Sequence, residues 1–349
     1  MRRKTDRRVT LQDIARETGY SINTVSRALR NMEDIAPHTC AMIQQCAREM
    51  GYTANQVASS LRSGYTHIFA VILGGMSNPF YGIMADMLQD AARAEGYSVM
   101  IMCSRDDAVE EAKLVEQAIA RRVDGIVLFP TGRSAPAVTR MREVHMPFVL
   151  MSRDLEDGRT DCVVCDEERG AYLATKHLIE TGHRRLAYLS STTIVYSSEK
   201  RIAGFVRACE ESGIDPEDYT IRVSDRSILF LDRNSFDWQG ALSNSLRLLK
   251  QQGFSGLFIF CDVEAWHALH VIQKADGLSM GDFGIVSFDN IEDVLSFPIP
   301  LCSISCDYAE MARQGIRILQ ARIGGDNSPP QTVVCPVNLV CRESCKGRH

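Results

Sequence analysis

No stretch of the 349-residue chain approaches the roughly 18 consecutive apolar residues that a membrane-spanning helix needs. The opening residues, Met1-Arg-Arg-Lys-Thr-Asp-Arg-Arg8, lead into an amphipathic stretch and not into an apolar secretion segment. Insertion and export are therefore not expected, and a cytoplasmic protein is. Without an export signal the twelve cysteines read as reduced thiols, not as a disulfide framework. Enzyme signatures are missing as well. There is no Gly-x-Gly-x-x-Gly after a strand, no P-loop, no Gly-x-Ser-x-Gly elbow and no His-Glu-x-x-His, and Gly74-Gly75 is too short to cradle a phosphate. The eight histidines are mostly isolated. Cys162/Cys165, Cys302/Cys306 and Cys341/Cys345 are single pairs, short of the four matched ligands of a structural zinc site, and read better as small buried apolar residues. The expectation is no enzyme, no cofactor and no metal.

What is present is a globular composition, 45% hydrophobic and 24% charged, in a chain long enough for two or three domains. The net charge of -5 hides an asymmetry. Residues 1–65 hold ten Lys/Arg against six acids, or +4, whereas the rest holds 29 against 38, or -9. A small basic head on an acidic body suggests that only the head meets a polyanion, since phosphate repels the body.

The head has the pattern of a helix-turn-helix. Thr10 followed by Asp13 caps a short helix carrying Leu11, Ile14 and Ala15, and Gly19 supplies the positive φ at its end. Ser21 caps a second helix, Ile22 to about Arg30, whose Val25 and Leu29 face Ile14 and Ala15. Pro37 opens a third, with Ala41, Ile43, Cys46, Ala47 and Met50 as its apolar set and Gly51 at its end. Such a bundle could serve only as a dimerisation cap. The outward face of the second helix argues otherwise: Asn23 can pair with adenine, Arg27 with guanine, and the Ser21, Thr24 and Ser26 hydroxyls with phosphate oxygens.

The run Val9-Thr-Leu-Gln-Asp-Ile-Ala-Arg-Glu-Thr-Gly-Tyr-Ser-Ile-Asn-Thr-Val-Ser-Arg-Ala-Leu-Arg-Asn31 resembles the N-terminal signature of the LacI/GalR family of bacterial transcription regulators. The resemblance implies that Ile22, Asn23 and Arg27 contact base edges while Thr10, Ser21, Thr24, Ser26 and Asn31 hold the DNA backbone. Tyr20 departs from the family's usual small or β-branched residue. Between Gly51 and the first strand, Val57, Ala58 and Leu61 have helical spacing behind a cap at Asn55, in a segment too short to be stable alone. A plain linker would look the same. By resemblance it is a hinge helix in which Asn55, Ala58 and Leu61 keep the family pattern, with Leu61 as a minor-groove wedge.

Beyond Thr66 the pattern becomes strand–helix alternation: His67–Leu73, Phe80–Glu95, Ser98–Cys103, Val109–Arg121 and Gly125–Phe129, then Leu186–Leu189, Arg201–Ser212, Leu242–Gln251, Gly256–Phe260 and Phe283–Phe288. This predicts an α/β body of two doubly wound lobes with parallel sheets, whose ligand lies beyond the carboxyl ends of the strands. Ser77–Tyr81, Met146–Arg153, Gly170–Leu189, Arg201–Phe205 and Ile285–Asn290 resemble the same family, whose body has the fold of periplasmic sugar-binding proteins. The predicted organisation is a head at 1–51, a hinge at 52–65, and a body at 66–349. Its lobes are assigned to 66–165 with 304–326 and to 166–303 with 327–345.

Carried over by position, Phe80 stacks on an effector while Arg153, Arg201, Asp262 and Asp289 bond its polar rim, chemistry suited to a polyhydroxylated ring. Arg201 could instead be a surface residue and Asp262 a helix cap. Ser152 replaces a usual Asp, and Cys261 an Asn, with bulky Trp266 and His267 following. The apolar segment Arg226–Trp238 offers Phe236 or Trp238 to the cleft. The implied protein is a homodimeric repressor, or a tetramer, on a pseudo-palindromic double-stranded operator, tuned by a small sugar-like effector. Two alternatives stay open: a catabolite-control regulator answering to a phosphocarrier protein, and a sugar-binding module without DNA function.

Overall fold

The computed structural model describes residues 9–32, 34–53, 64–132, 136–190, 196–223 and 238–346, with the side chains of Val223 and Trp238 outside that set. The chain divides into two compact units, Met1–Thr66 and His67–His349. The hinge residues Asn55, Ala58 and Leu61, and the segment 226–237, lie outside the described residues.

In the first unit α1 (Leu11–Thr18) begins with a full capping box. The Thr10 hydroxyl accepts the Asp13 N–H at 3.3 Å, and the Asp13 carboxylate accepts the Thr10 N–H at 3.0 Å. Gly19 closes the helix at φ +73°, a conformation that strains any side chain. Two residues later Ser21 caps α2 (Ile22–Ala28) through the Thr24 N–H at 3.1 Å, so turn and cap together fix the bend. α2 ends before the predicted Arg30, because the Arg30 and Asn31 N–H groups bond back only three residues, to Arg27 and Ala28, and Asn31 turns left-handed at φ +56°. α3 (Pro37–Glu49) closes the bundle, and Ile14, Val25, Ala28, Ile43 and Ala47 are buried between the three helices. One expected core residue is misplaced. Ala41 is exposed and Thr39 is buried instead, since 39, 43 and 47 share a helix face that 41 opposes.

In the second unit the first lobe holds β1 (Ile68–Leu73), β2 (Ser98–Cys103), β3 (Gly125–Leu128), β4 (Phe148–Met151) and β5 (Cys162–Cys165), with α4 (Pro79–Ala94), α5 (Ala108–Ala120) and α6 (Pro136–Glu143). The second holds α7 (Glu167–Glu180), β6 (Leu186–Ser190), α8 (Tyr196–Glu211), β7 (Tyr219–Val223), α9 (Trp238–Gln251), β8 (Gly256–Ile259), α10 (Asp262–Lys274), β9 (Gly284–Phe288) and β10 (Cys302–Cys306). The chain then returns through α11 (Tyr308–Ile323) and β11 (Thr332–Cys335) to the first lobe, and finally through β12 (Val337–Val340) to the second.

The sheets run β11-β5-β4-β3-β1-β2 and β12-β10-β9-β8-β6-β7. Among the described residues all pairings are parallel except β10 with β12. Central strands of the first lobe are apolar at every position because helices cover both faces: Phe69, Val71 and Leu73 point to the α4 and α11 side, Ala70 and Ile72 to the α5 and α6 side. Three segments cross between lobes, each preceded by a buried cysteine, at Cys165-Asp166, Cys306-Asp307 and Cys335-Pro336. Asp166 and Asp307 cap the helices that follow them. This corrects the lobe boundaries read from sequence: residues 304–306 belong to the second lobe and 332–335 to the first, because a short strand follows α11 before the chain leaves.

Where α7 meets α8 the backbones touch. A Cβ on Gly204 would sit 2.1 Å from the Glu168 carbonyl oxygen, so only glycine fits there.

Candidate functional site

Two features of the fold present chemistry. The first is the outer face of α2. Burying Val25 and Ala28 against α1 and α3 turns Ser21, Ile22 and Asn23 outward, and Ile22 keeps 49% of its surface exposed. Apolar area left at the start of a helix whose other face is fully buried is costly in a free head and useful against a thymine methyl. Thr24, Ser26 and Arg27 flank it, half-buried. Arg27 is not idle, because its guanidinium pairs with Asp34 while keeping 38% exposure. The residues expected at DNA phosphates also hold the head together. Thr10 and Ser21 are the two N-caps, and the Asn31 side-chain oxygen accepts from Gln44 at 2.5 Å. Tyr20, the departure noted above, packs its ring against the head core.

The second feature is the cleft between the lobes, at the carboxyl ends of the strands. Asn78, Phe80 and Tyr81 come from the start of α4, Ser152 and Arg153 from the end of β4, Phe260 and Cys261 from the end of β8, and Asp289 from the end of β9. These residues line a cavity of about 70 Å³. Phe80 packs edge-on against Phe129 and Tyr308, with centroids 6.4 and 5.5 Å away, and these rings form one wall.

The polar wall centres on Arg201, brought in by α8 and only 5% exposed. Its Nε donates to Glu167 at 2.7 Å, its terminal nitrogens reach the Phe260 carbonyl oxygen and lie 3.9 Å from Asp289, and its plane stacks 3.7 Å over Phe288. The alternative of a surface Arg201 is thereby excluded. Burial pushes the Glu167 and Asp289 carboxyls above the usual carboxylate range, and the Arg201 charge draws them only part of the way back. Arg153 lies across the cleft, held by the Pro130 carbonyl at 2.9 Å and by Asp106 at 3.4 Å. Next to it, Ser152 has the left-handed φ of +66°, and its buried hydroxyl has no hydrogen-bond partner among the described residues. A buried, unsatisfied oxygen on a strained residue beside a cleft is available to a ligand. Asp289 is likewise left-handed, at φ +108°.

Phe80, Ser152, Arg153, Arg201 and Asp289 therefore share one cleft, and Asp262 does not. Its carboxylate turns into the second lobe, where it accepts from the Ser287 hydroxyl, from Ser303 at 2.7 Å and from the Ile291 N–H at 2.8 Å, tying α10 to β9 and β10. Three inward donors outcompete the cleft, and the residue is 1% exposed. The Trp238 side chain lies outside the described residues. Trp266 is not among the cleft-lining residues; it donates to the Ser296 carbonyl at 2.8 Å and lies against His270 with ring centroids 4.0 Å apart. Sequence reasoning missed Glu167, Asp106, Tyr308 and Phe260. Glu167 in particular has the appearance of an ordinary acid in the first turn of a helix, and only its 2.7 Å approach to Arg201 reveals its place.

Comparison with known proteins agrees with this division of the chain. Residues 10–55 match the family described as bacterial regulatory proteins, lacI family. Residues 66–231 match periplasmic binding proteins and sugar binding domain of LacI family, and residues 175–345 a periplasmic binding protein-like domain. The HTH-type transcriptional regulator DegA of Bacillus subtilis (strain 168) is 30% identical over 342 residues, 97% of this chain and 98% of that one. Among solved structures, the Lac repressor dimer bound to operator and the anti-inducer ONPF superposes with a TM-score of 0.81 at 21% identity, covering 98% of this chain and all of that one. The transcriptional regulator CelR–cellobiose complex does so with a TM-score of 0.68 at 23% identity, covering 97% and 100%. The chain belongs to the lacI family of bacterial regulatory proteins and is a helix-turn-helix transcription regulator with a periplasmic-binding-protein-like body.

Proposed function

We propose that this protein represses transcription in the cytoplasm as a homodimer on a pseudo-palindromic operator, and that a small sugar-like effector in the inter-lobe cleft tunes its grip without being turned over. The observation that carries the DNA half is the outward face of α2, where an exposed Ile22 stands beside Asn23 and Arg27 on a helix whose opposite face is the core of the head. In this reading Ile22, Asn23 and Arg27 read base edges, and Thr10, Ser21, Thr24, Ser26 and Asn31 hold phosphates. Asn55, Ala58 and Leu61 form the hinge in the minor groove. The unsatisfied Ser152 hydroxyl supports the effector half, with Arg153, Arg201 and Asp289 as further polar partners and Phe80 as the apolar wall.

Duplexes selected from a random pool by the purified protein test the first half. Asn23→Ala and Arg27→Ala should each cost about 1–3 kcal/mol at one base position of the selected duplex. No enrichment over random competitor at moderate salt refutes it. A thermal-shift screen of sugars and sugar phosphates tests the second half. A true effector raises the melting temperature of the parent, fails to do so in Ser152→Ala with Arg153→Ala, and changes operator affinity by roughly 5–150-fold.

A further inference from the structure

Spacing along the chain pairs Cys302 with Cys306 and Cys341 with Cys345; the fold pairs them differently. Cys302 opens β10 and Cys345 lies on the tail beyond β12, and their sulfur atoms are 2.8 Å apart. His177, in the last turn of α7, places Nε2 2.9 Å from the Cys345 Sγ. The three donor atoms all lie within 4.8 Å of one another. Both cysteines are buried and His177 is half-buried.

Backbone contacts fix these positions. Ser344 accepts the Cys302 N–H on its hydroxyl at 2.7 Å, donates that hydroxyl to the Ile285 carbonyl at 2.6 Å, and accepts the Ile285 N–H on its own carbonyl at 2.7 Å. The Arg342 N–H points at the Cys302 Sγ at 3.0 Å. The cluster sits at the amino end of β10, the opposite end of the strand from the cleft.

We propose that His177, Cys302 and Cys345 form a binding site for a thiophilic d¹⁰ cation, zinc or cuprous ion. Two sulfurs and one imidazole with no carboxylate among them select soft ions over magnesium or calcium. Metal–sulfur bonds of about 2.3 Å and metal–nitrogen bonds of about 2.0–2.1 Å require sulfurs about 3.8 Å apart and sulfur–nitrogen spacings of about 3.5 Å. The donors must therefore spread by about 1 Å or less, within the span the cluster already occupies. On binding, each thiol releases one proton to solvent and the neutral imidazole gives a lone pair, so two protons leave and no atom changes oxidation state. Zinc takes water as its fourth ligand, while cuprous ion is satisfied by three ligands. Either ion clamps the tail onto α7 and β10, joining residues 168 positions apart in sequence.

The test uses the full chain, purified with a phosphine reductant and offered one equivalent of Zn(II), or of Cu(I) under argon, against a chromophoric chelator. The expected result is one ion retained per chain, with Cys302→Ser and Cys345→Ser each holding it about tenfold or more less tightly. The arm that retains its ion identifies the metal. Co(II) added to the unaltered chain should give thiolate-to-cobalt charge-transfer bands, a readout that needs no variant to fold. Absence of those bands together with no retention of either ion overturns the proposal, as does equal retention by the parent and both serine variants.

Discussion

Replacing Arg201 by methionine keeps an unbranched apolar stem between the Phe288 and Phe260 rings and removes the guanidinium. Glu167 then loses its 2.7 Å partner, Asp289 its 3.9 Å neighbour, and the Phe260 carbonyl a donor. Both carboxyls are buried, at 4% and 6% exposure, so water from the cleft replaces only part of what is lost. Breaking a buried ion pair from one side costs about 3–5 kcal/mol, which is the destabilisation expected for Arg201→Met near neutrality. The pH dependence has a definite sign. Burial already holds both folded-state pKa values above the unfolded ones, and losing Arg201 raises them further. A carboxyl of this kind costs nothing while protonated in both states; its penalty begins above the unfolded pKa and grows until the pH passes the folded one. The variant should therefore be closer to the parent at about pH 5 than at about pH 7.5. Urea unfolding of the parent, of Arg201→Met, and of Arg201→Met combined with Glu167→Gln and Asp289→Asn measures this, and the triple variant should regain most of the loss. An equal deficit at both pH values, with no recovery in the triple variant, refutes the reasoning.

Asp34→Ala frees Arg27 from its partner in the head and should tighten operator binding by up to about fivefold, the reach of a surface ion pair; weaker binding in a titration of the selected duplex would contradict it. Burial pushes the Asp262 carboxyl up to about 6 against its three inward hydrogen bonds. The parent should accordingly lose about 3 kcal/mol of stability as pH rises from about 3 to about 7, and Asp262→Asn should lack that part of the slope. Parallel pH profiles for the two proteins would count against it. Gly204→Ala forces a methyl into the Glu168 carbonyl, so the body should lose at least about 1–3 kcal/mol; an unchanged melting temperature of the body would show that α7 and α8 separate freely.

The head was legible almost to the residue because its signals are local: Thr10, Asp13, Gly19, Ser21 and Pro37 each act within one turn of where they stand. Strands such as Ile68–Leu73 and Gly125–Leu128 were legible for a different reason, since helices on both faces leave them no polar positions. Thr332–Cys335 escaped notice because four residues at a sheet edge, half of them exposed, carry too little periodicity. Its omission displaced the lobe boundaries. In the cleft, Phe80, Arg153, Arg201 and Asp289 converge from four separate elements. Asp262 failed because a carboxylate at the start of a helix can face either way, and nothing in its sequence neighbours discloses the two serines waiting on β9 and β10. Glu167 and the His177–Cys302–Cys345 cluster are properties of tertiary proximity alone.

The three passages of the chain between the lobes have a bearing on how this protein can be dissected. Neither half of the body is one continuous stretch of gene, so trimming from the C-terminus removes an edge strand from both sheets instead of shedding a module. Protease nicks in outer loops would leave each half still stitched to the other by the remaining threads. Chimaeras between relatives should accordingly be joined at residues 166, 307 and 336 together, since a single splice marries a sheet from one parent to an edge from the other.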